Sequence, residues 1–240
     1  MRIRYSILFL FIISICSFIC IACKEAQQNE QYVTYTADPK TENIRFYWKD
    51  KQGERFGSIK KLKDNLTKQN KELVFAMNGG MYSPQKSPLG LFIDKNVEVT
   101  PINTQDGNGN FYLKPNGIFY IPNKGNAKIV STEKFKNNGA IQYATQSGPM
   151  LLINGDIHQV FRKGSANLQI RNGVGILPDG KIIFAMSKGE VNFYDFAEYF
   201  RAQGCKNALY LDGFVSRTYL PEENWTQTDG DFGVIIGITK

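Results

Sequence analysis

The chain has 240 residues, 42% of them apolar and 13% aromatic, a formal net charge of +7 and a single histidine. That is enough apolar sequence for one large core or a compact pair of domains. The basic residues are scattered among Glu, Asn and Gly, with no dense run and no basic stripe interleaved with aromatics. This argues against a nucleic-acid-binding protein and leaves room for an acidic or phosphate-bearing partner.

The chain opens with "MRIRYSILFLFIISICSFICIACKE". Arg2 and Arg4 form a charged start, an apolar run extends from Ile7 to Ala22, and Cys23 follows. The pattern reads as a signal peptide with a bacterial lipobox, in which Cys23 is lipidated and becomes the mature N-terminus. The competing reading is an uncleaved anchor. Both place the rest of the chain outside the cytoplasm, in a bacterial envelope, because the arginines stay inside. The expected organisation is a leader at 1–23, a polar tether at 24–31 ("KEAQQNEQ") and one domain at 32–240. Cys16 and Cys20 leave with the leader and Cys23 carries the lipid. Only Cys205 is then left, so no intramolecular disulfide and no thiolate metal cluster is expected. Cys205 follows Gly204 at a helix end and reads as a small buried filler.

In chain order, "YVTYTA" and "IRFYW" alternate as strands. "SIKKLKDNLTKQN" puts Ile59, Leu62 and Leu66 on one face of an amphipathic helix. "ELVFAMN" is a buried strand ending at Gly79-Gly80. From Leu89 to Val130 short apolar runs alternate with Gly, Asn and Pro, as antiparallel strands do, and "AIQYAT" and "MLLI" continue the pattern. "GVGILPDGKIIFAMS" is a hairpin around Pro178-Asp179-Gly180. "NFYDFAEYFRAQG" is a helix, with Phe193, Phe196, Ala197 and Phe200 at helical spacing and Gly204 placed to end it. "ALYLD" and "FGVIIGI" are late strands. Strands dominate and no strict βαβ repeat appears, so the expected class is α+β. The expected architecture is a large mixed, mostly antiparallel sheet with a few flanking helices.

Four strands stop at a Gly-containing polar turn. These are "FAMNGGMY" (Asn78, Gly79, Gly80), "TQSGPML" (Gln146, Ser147, Gly148), "IRNGVG" (Arg171, Asn172) and "YLDGFVSR" (Asp212, Gly213, Ser216). Glycine lets the backbone turn sharply and lets a ligand approach the amides. Strand-end loops are where a rigid scaffold presents polar groups. One such turn is ordinary; four carrying Asn, Gln, Ser, Arg and Asp suggest a shared site.

The ordered set "MNGGMY…PLGL", "TQSGPMLLINGDIH", "IRNGVGI", "VNFYDFAEYFR" and "ALYLDGFVSRTY" resembles the phosphodiester glycosidase family, over roughly Leu73 to Lys240. This domain forms the mammalian uncovering enzyme and also occurs in bacterial envelope proteins often described as exopolysaccharide-related. The resemblance implies hydrolysis of a sugar-1-phosphodiester in a glycan or glycoconjugate, with release of the sugar and a phosphomonoester. Glycoside hydrolysis passes through an oxocarbenium-like state that a carboxylate can steady or attack. The phosphate is already an anionic leaving group, so a fixed cation matters more than a strong acid. Asp212 is the expected carboxylate and Arg171 the expected phosphate grip. Asn78, Gly79, Gly80, Gln146, Ser147, Gly148, Asn172, Gly213 and Ser216 are the expected substrate-binding set. The alternative is a non-catalytic glycan-binding or exopolysaccharide-assembly lipoprotein.

Other polar residues read more plainly. Asp195 lies three residues after Asn192, as in a capping box, and Glu198 lies beside the apolar stripe of the same helix. His158, the sole histidine, reads as structural, and no G-x-S-x-G elbow accompanies it, which excludes a Ser-His-Asp hydrolase. "DGNGN" (Asp106–Asn110) starts like a calcium loop but has Gly117 where a bidentate Glu is needed. No cofactor and no structural metal is expected, and a catalytic divalent metal stays open. The expected partners are a sugar-phosphate glycan and the membrane that holds the lipid anchor.

Overall fold

The computed structural model describes residues 30–240. The expected leader, Cys23 and nearly all of the tether lie outside the described residues. Within them, no helix is long and apolar enough to cross a membrane.

The chain begins with β1 (Tyr32–Ala37) and β2 (Asn43–Tyr47), then α1 (Ile59–Thr67) and β3 (Leu73–Asn78). The glycine- and proline-rich middle forms β4 (Phe92–Asp94), β5 (Val97–Thr100), β6 (Gly117–Pro122), β7 (Lys128–Ser131), β8 (Ile141–Ser147), β9 (Met150–Ile153) and β10 (Asp156–Ile157). The hairpin β11 (Asn172–Ile176) and β12 (Ile182–Ser187) leads into α2 (Phe193–Ala202). The chain closes with β13 (Ala208–Asp212), β14 (Thr218–Leu220), β15 (Trp225–Thr226) and β16 (Ile235–Thr239). The α+β class and the antiparallel pairing follow the sequence expectation.

The strands divide into three sheets rather than one. Their orders are β1-β12-β11-β13-β9-β10, β15-β14-β3-β16-β2 and β5-β4-β8-β6-β7. Open twisted sheets of many short strands tend to split and pack on one another. Here Phe46 of β2, Phe75 of β3, Phe119 of β6 and Phe184 of β12 bring all three sheets to one aromatic centre. Ring centroids are 5.4 Å apart for Phe46–Phe119, 5.2 Å for Phe75–Phe184 and 6.0 Å for Phe119–Phe184.

Each helix covers the outer face of one sheet. Ser58 caps α1 by accepting from Lys61 N at 3.2 Å, and Ile59, Leu62 and Leu66 are buried with Leu73 and Ala76. Asn192 caps α2 by accepting from Asp195 N at 2.9 Å, and its Nδ2 donates to Asp195 Oδ2 at 2.8 Å. Asp195 is thus a capping residue, as its spacing implies. Phe196 and Phe200 of α2 lie directly over Gly173 and Gly175 of β11, where a Cβ would meet the rings at 3.2 and 2.7 Å respectively. The glycines of "RNGVG" therefore let a helix of bulky aromatics lie close to a strand. Gly204, with φ +81°, ends the chain's run out of α2.

Candidate active site

Two of the sheets meet at their strand ends. Asn78 ends β3, Asn172 begins β11, Asp212 ends β13, and the loop 213–217 carries the chain from β13 of the first sheet to β14 of the second. Asn78 Nδ2 donates to Asp212 Oδ2 at 2.9 Å. Asn78 Oδ1 accepts from Arg217 N at 2.9 Å and from Asn172 Nδ2 at 3.0 Å. Asn172 Nδ2 also donates to the Asn78 carbonyl at 2.8 Å. The second oxygen of Asp212 accepts from Gly213 N at 2.8 Å. Because a backbone N–H faces Asn78 Oδ1, the amide orientation is fixed and its NH2 must face the carboxylate.

A β-bulge aims Asp212 into this network. Asn172 is opposite Asp212, but the next residue, Gly173, is opposite Tyr210, so Leu211 is an extra residue on β13. Without it, Asp212 would share the face of Tyr210, under α2. The inserted residue turns the carboxylate to the Asn172 side, a use of bulges common beside active sites. Tyr210 stays on the helix face, packed on Phe193.

The carboxylate is only partly exposed. Its removal from water raises the pKa of Asp212 to about 6, and the bonds from Gly213 N and Asn78 oppose the shift only in part. Asp212 is thus mostly ionised at neutral pH and protonates in the mildly acidic range. Lys86 acts on the carboxylate through its charge, and Arg217 joins the network through its backbone N–H. Arg217 Nε donates to Asp229 Oδ1 at 2.8 Å and Nη1 to the Ser216 carbonyl at 3.0 Å; Nη2 has no partner among the described residues. Lys86 draws the Asp212 pKa down and is bound to Asp231, with Nζ 3.1 Å from Oδ2. Tyr82, beneath Lys86 at 4.7 Å, has its hydroxyl pKa pushed up to about 12, by burial first and the Asp212 charge second. Buried Asn172 Oδ1 has no hydrogen-bond partner. It is an unsatisfied acceptor sealed inside the network, out of reach of a ligand.

The remaining nominated residues separate into supports and members. Ser216 closes the 213–217 loop by donating from N and Oγ to the Gly213 carbonyl, at 2.7 and 2.5 Å. Ser147 Oγ donates to the Leu211 carbonyl at 2.8 Å, bracing the bulge from behind. Gly79 and Gly80 are close-packed against Ile236 and Thr145, and Gly148 against Asn116. All three are buried, so their close approach is to protein. A Cβ on Gly213 would collide with Tyr210 Oη.

Two expectations need correction on geometry. Arg171 is only 1% exposed and does not present a fork to the site. Its Nε donates to the Val191 carbonyl at 2.8 Å, Nη2 to Asn167 O and Oδ1 at 2.9 and 3.1 Å, and Nη1 to Tyr210 Oη at 3.3 Å, while its guanidinium lies 3.7 Å over Phe193. It precedes Asn172, so strand alternation sends it to the helix side. Gln146 is likewise consumed. Its Oε1 accepts from Leu91 N and Asn103 N, and its Nε2 donates to Asn103 O and Thr132 Oγ1, pinning the 89–103 segment. In their place the sequence reading passed over Arg217, Tyr82 and Lys86. Arg217 and Tyr82 lie within the quoted "DGFVSR" and "NGGMY" stretches, where adjacency to the nominated residues was the available signal.

His158 is buried, with Nε2 3.1 Å from the Lys114 carbonyl, and is structural as expected. Glu198 pairs with Arg201 on the helix surface. Among the described residues no group of three or more His, Cys, Asp or Glu converges as metal ligands. Asp212 is the one carboxylate in a network of amides.

The architecture is that of a three-sheet antiparallel α+β domain with one buried-edge carboxylate at the seam of two sheets. The phosphodiester glycosidase family model matches residues 71–236, and the chain belongs to that family. It is a family of hydrolases of glycosidase type. The chain is 40% identical to "uncharacterized protein YigE" of Escherichia coli K12 over 187 residues, 78% of this chain and 73% of the relative. Its fold is similar to the catalytic domain of zebrafish N-acetylglucosamine-1-phosphodiester alpha-N-acetylglucosaminidase, auto-inhibited by its pro-peptide. That match has a TM-score of 0.56 and 15% identity, over 87% of this chain and 82% of the other. A hypothetical protein from Synechocystis matches with a TM-score of 0.53 and 13% identity, over 87% of this chain and 59% of that one.

Proposed function

We propose that this chain is an envelope-anchored glycosidase that hydrolyses a sugar-1-phosphodiester linkage in a glycan or glycoconjugate, with Asp212 as its catalytic carboxylate. The anchoring rests on the leader and Cys23 motif of the sequence. The hydrolytic reading rests on family membership together with one observation: Asp212 is turned by a bulge into an amide network at the seam of two sheets, where it is mostly ionised near pH 7 with a pKa of about 6.

The chemistry follows from that group. The bond between the sugar C1 and the phosphate oxygen breaks, and its electron pair leaves with the phosphate as a monoester. The positive charge growing at C1 is met by the Asp212 carboxylate, which attacks C1 or takes a proton from the water that does. The departing phosphate needs no proton, and the free Nη2 of Arg217 and the Lys86 ammonium supply positive charge on its side. Water supplies the hydroxyl that ends on C1.

The test is turnover on a panel of sugar-1-phosphodiesters, following free sugar and phosphomonoester separately. Wild type should release both in equal amounts. Asp212→Asn should lose about two to three orders of magnitude in rate, since one well-placed electrostatic group is worth about 3–4 kcal/mol in the transition state. Binding without turnover by wild type would favour the non-catalytic glycan-binding alternative.

A further inference from the structure

The edge strand β2, the C-terminal end of α1 and the β4–β5 turn enclose a cavity of about 480 Å³, apart from Asp212. Its rim carries Arg45, Lys49, Lys51, Lys68, Lys71 and Lys95 against two carboxylates, Asp50 and Asp94. Of these cations only Lys95 lies within ion-pair reach of a carboxylate among the described residues, 3.8 Å from Asp94 Oδ2. Asp50 is committed to its own turn, where Oδ1 accepts from Gln52 N and Glu54 N at 2.9 Å. Burial raises the Asp94 pKa, and the charges of Lys95 and Arg45 oppose the shift. Like charges gathered around a concavity repel one another and focus a positive field into it, which an anion relieves.

The lining narrows the kind of anion. Phe46 and Phe56 are buried and Tyr47 is half-buried, so no ring face is free to stack a nucleic-acid base. None of the large exposed apolar residues lines the cavity, so nothing there would insert into a lipid surface. What it offers besides charge is side-chain amides, Gln52, Asn65 and Gln69, which suit hydroxyls. We propose that this cavity binds an anionic, phosphate-bearing stretch of polysaccharide.

The placement ties it to the active site. Tyr47 of the cavity pairs with Ile235, which pairs with Asn78 of the carboxylate network. Tyr47 and Asn78 therefore stand two strand spacings apart, about 10 Å. The cavity and the carboxylate network thus share the second sheet, and a polymer crossing the surface outside buried Ile235 and Asn78 would span both. The inference rests on the sugar-phosphodiester reading and deepens it: the substrate is a polymer, held at a second point.

The experiment measures binding of the full chain carrying Asp212→Asn, to prevent turnover, to a phosphomannan whose mannoses are linked by mannose-1-phosphodiesters. Neutral mannan, a single-stranded oligonucleotide of matched charge and phosphatidylglycerol vesicles are run alongside. Lys51→Ala/Lys68→Ala/Lys71→Ala should weaken phosphomannan binding about tenfold or more and flatten its salt dependence. The same change of charge at exposed Lys134, Lys163 and Lys188 should leave it nearly intact. Lys→Arg at the three cavity positions should preserve binding. Equal weakening by both alanine triples, loss with the arginine triple, absence of phosphomannan binding, or tighter binding of the oligonucleotide or vesicles would overturn the proposal. If wild type cleaves no small sugar-1-phosphodiester while phosphomannan binding still depends on the three lysines, the hydrolytic reading falls and the cavity assignment stands.

Discussion

Asn78 Nδ2 donates to Asp212 Oδ2 at 2.9 Å across 134 positions of sequence, joining the second sheet to the first at the carboxylate proposed to be catalytic. The same amide accepts from Arg217 N and Asn172 Nδ2. Asn78→Asp is therefore an informative change. It keeps both acceptor roles but sets a second carboxyl against Asp212, and two adjacent carboxyls cannot both ionise easily. The acidic limb of the pH–rate profile, near pH 6 in wild type, should move upward by at least one unit. An unmoved limb would mean that Asp212 does not set it.

Asp212 also leaves a signature in stability. Its folded-state pKa of about 6 lies above the ordinary value of 3.8, so between these values the folded protein holds the proton more tightly than the unfolded chain. Stability contributed by this group is complete below about pH 4 and falls as pH rises toward 6. Asp212→Asn has no such titration. The difference in unfolding free energy, variant minus wild type, should shift in favour of the variant by on the order of 2 kcal/mol between pH 4 and pH 7. Lost hydrogen bonds add a constant offset and do not mimic the slope. Urea unfolding at several pH values measures it.

Arg171→Lys should act through the fold. The buried guanidinium satisfies three oxygens besides Tyr210 and stacks on Phe193, and an ammonium cannot reproduce that planar fork. A loss of about 2–4 kcal/mol of stability is expected from the lost charged hydrogen bonds. Turnover per folded molecule should change far less than for Asp212→Asn. A variant with wild-type melting temperature and abolished turnover would restore Arg171 to a phosphate-binding role.

Gly213 and Tyr210 should be coupled. A methyl group on Gly213 would meet Tyr210 Oη, which also accepts from Arg171. Gly213→Ala should displace the Asp212 turn and lower both turnover and stability. Adding Tyr210→Phe removes the colliding oxygen and should recover part of the loss, although Tyr210→Phe alone is harmful through Arg171. Such non-additivity is expected of touching residues. Strict additivity in a double-mutant cycle would show that the collision is relieved elsewhere.

The sequence by itself determined the elements. Period-2 and period-3.6 patterns, the Asn192 cap and Gly204 fix local structure through interactions between near neighbours, and β1, β3, α1, α2, β12 and β13 appear where those patterns put them. It also singled out Asp212 and its turn, because a carboxylate at the end of a buried strand is chemically conspicuous. The tertiary structure decided which side of each strand faced the site. One inserted residue at Leu211 reverses the direction of Asp212 relative to Tyr210, and no local pattern reveals a bulge whose cause is the pairing with β11. The same long-range pairing sends Arg171 under α2 and Asn172 to Asn78, although the two are adjacent. It also brings Tyr82 and Lys86, from one distant stretch, to the carboxylate and its network. Periodicity is a property of the chain; the partner across the sheet is a property of the fold.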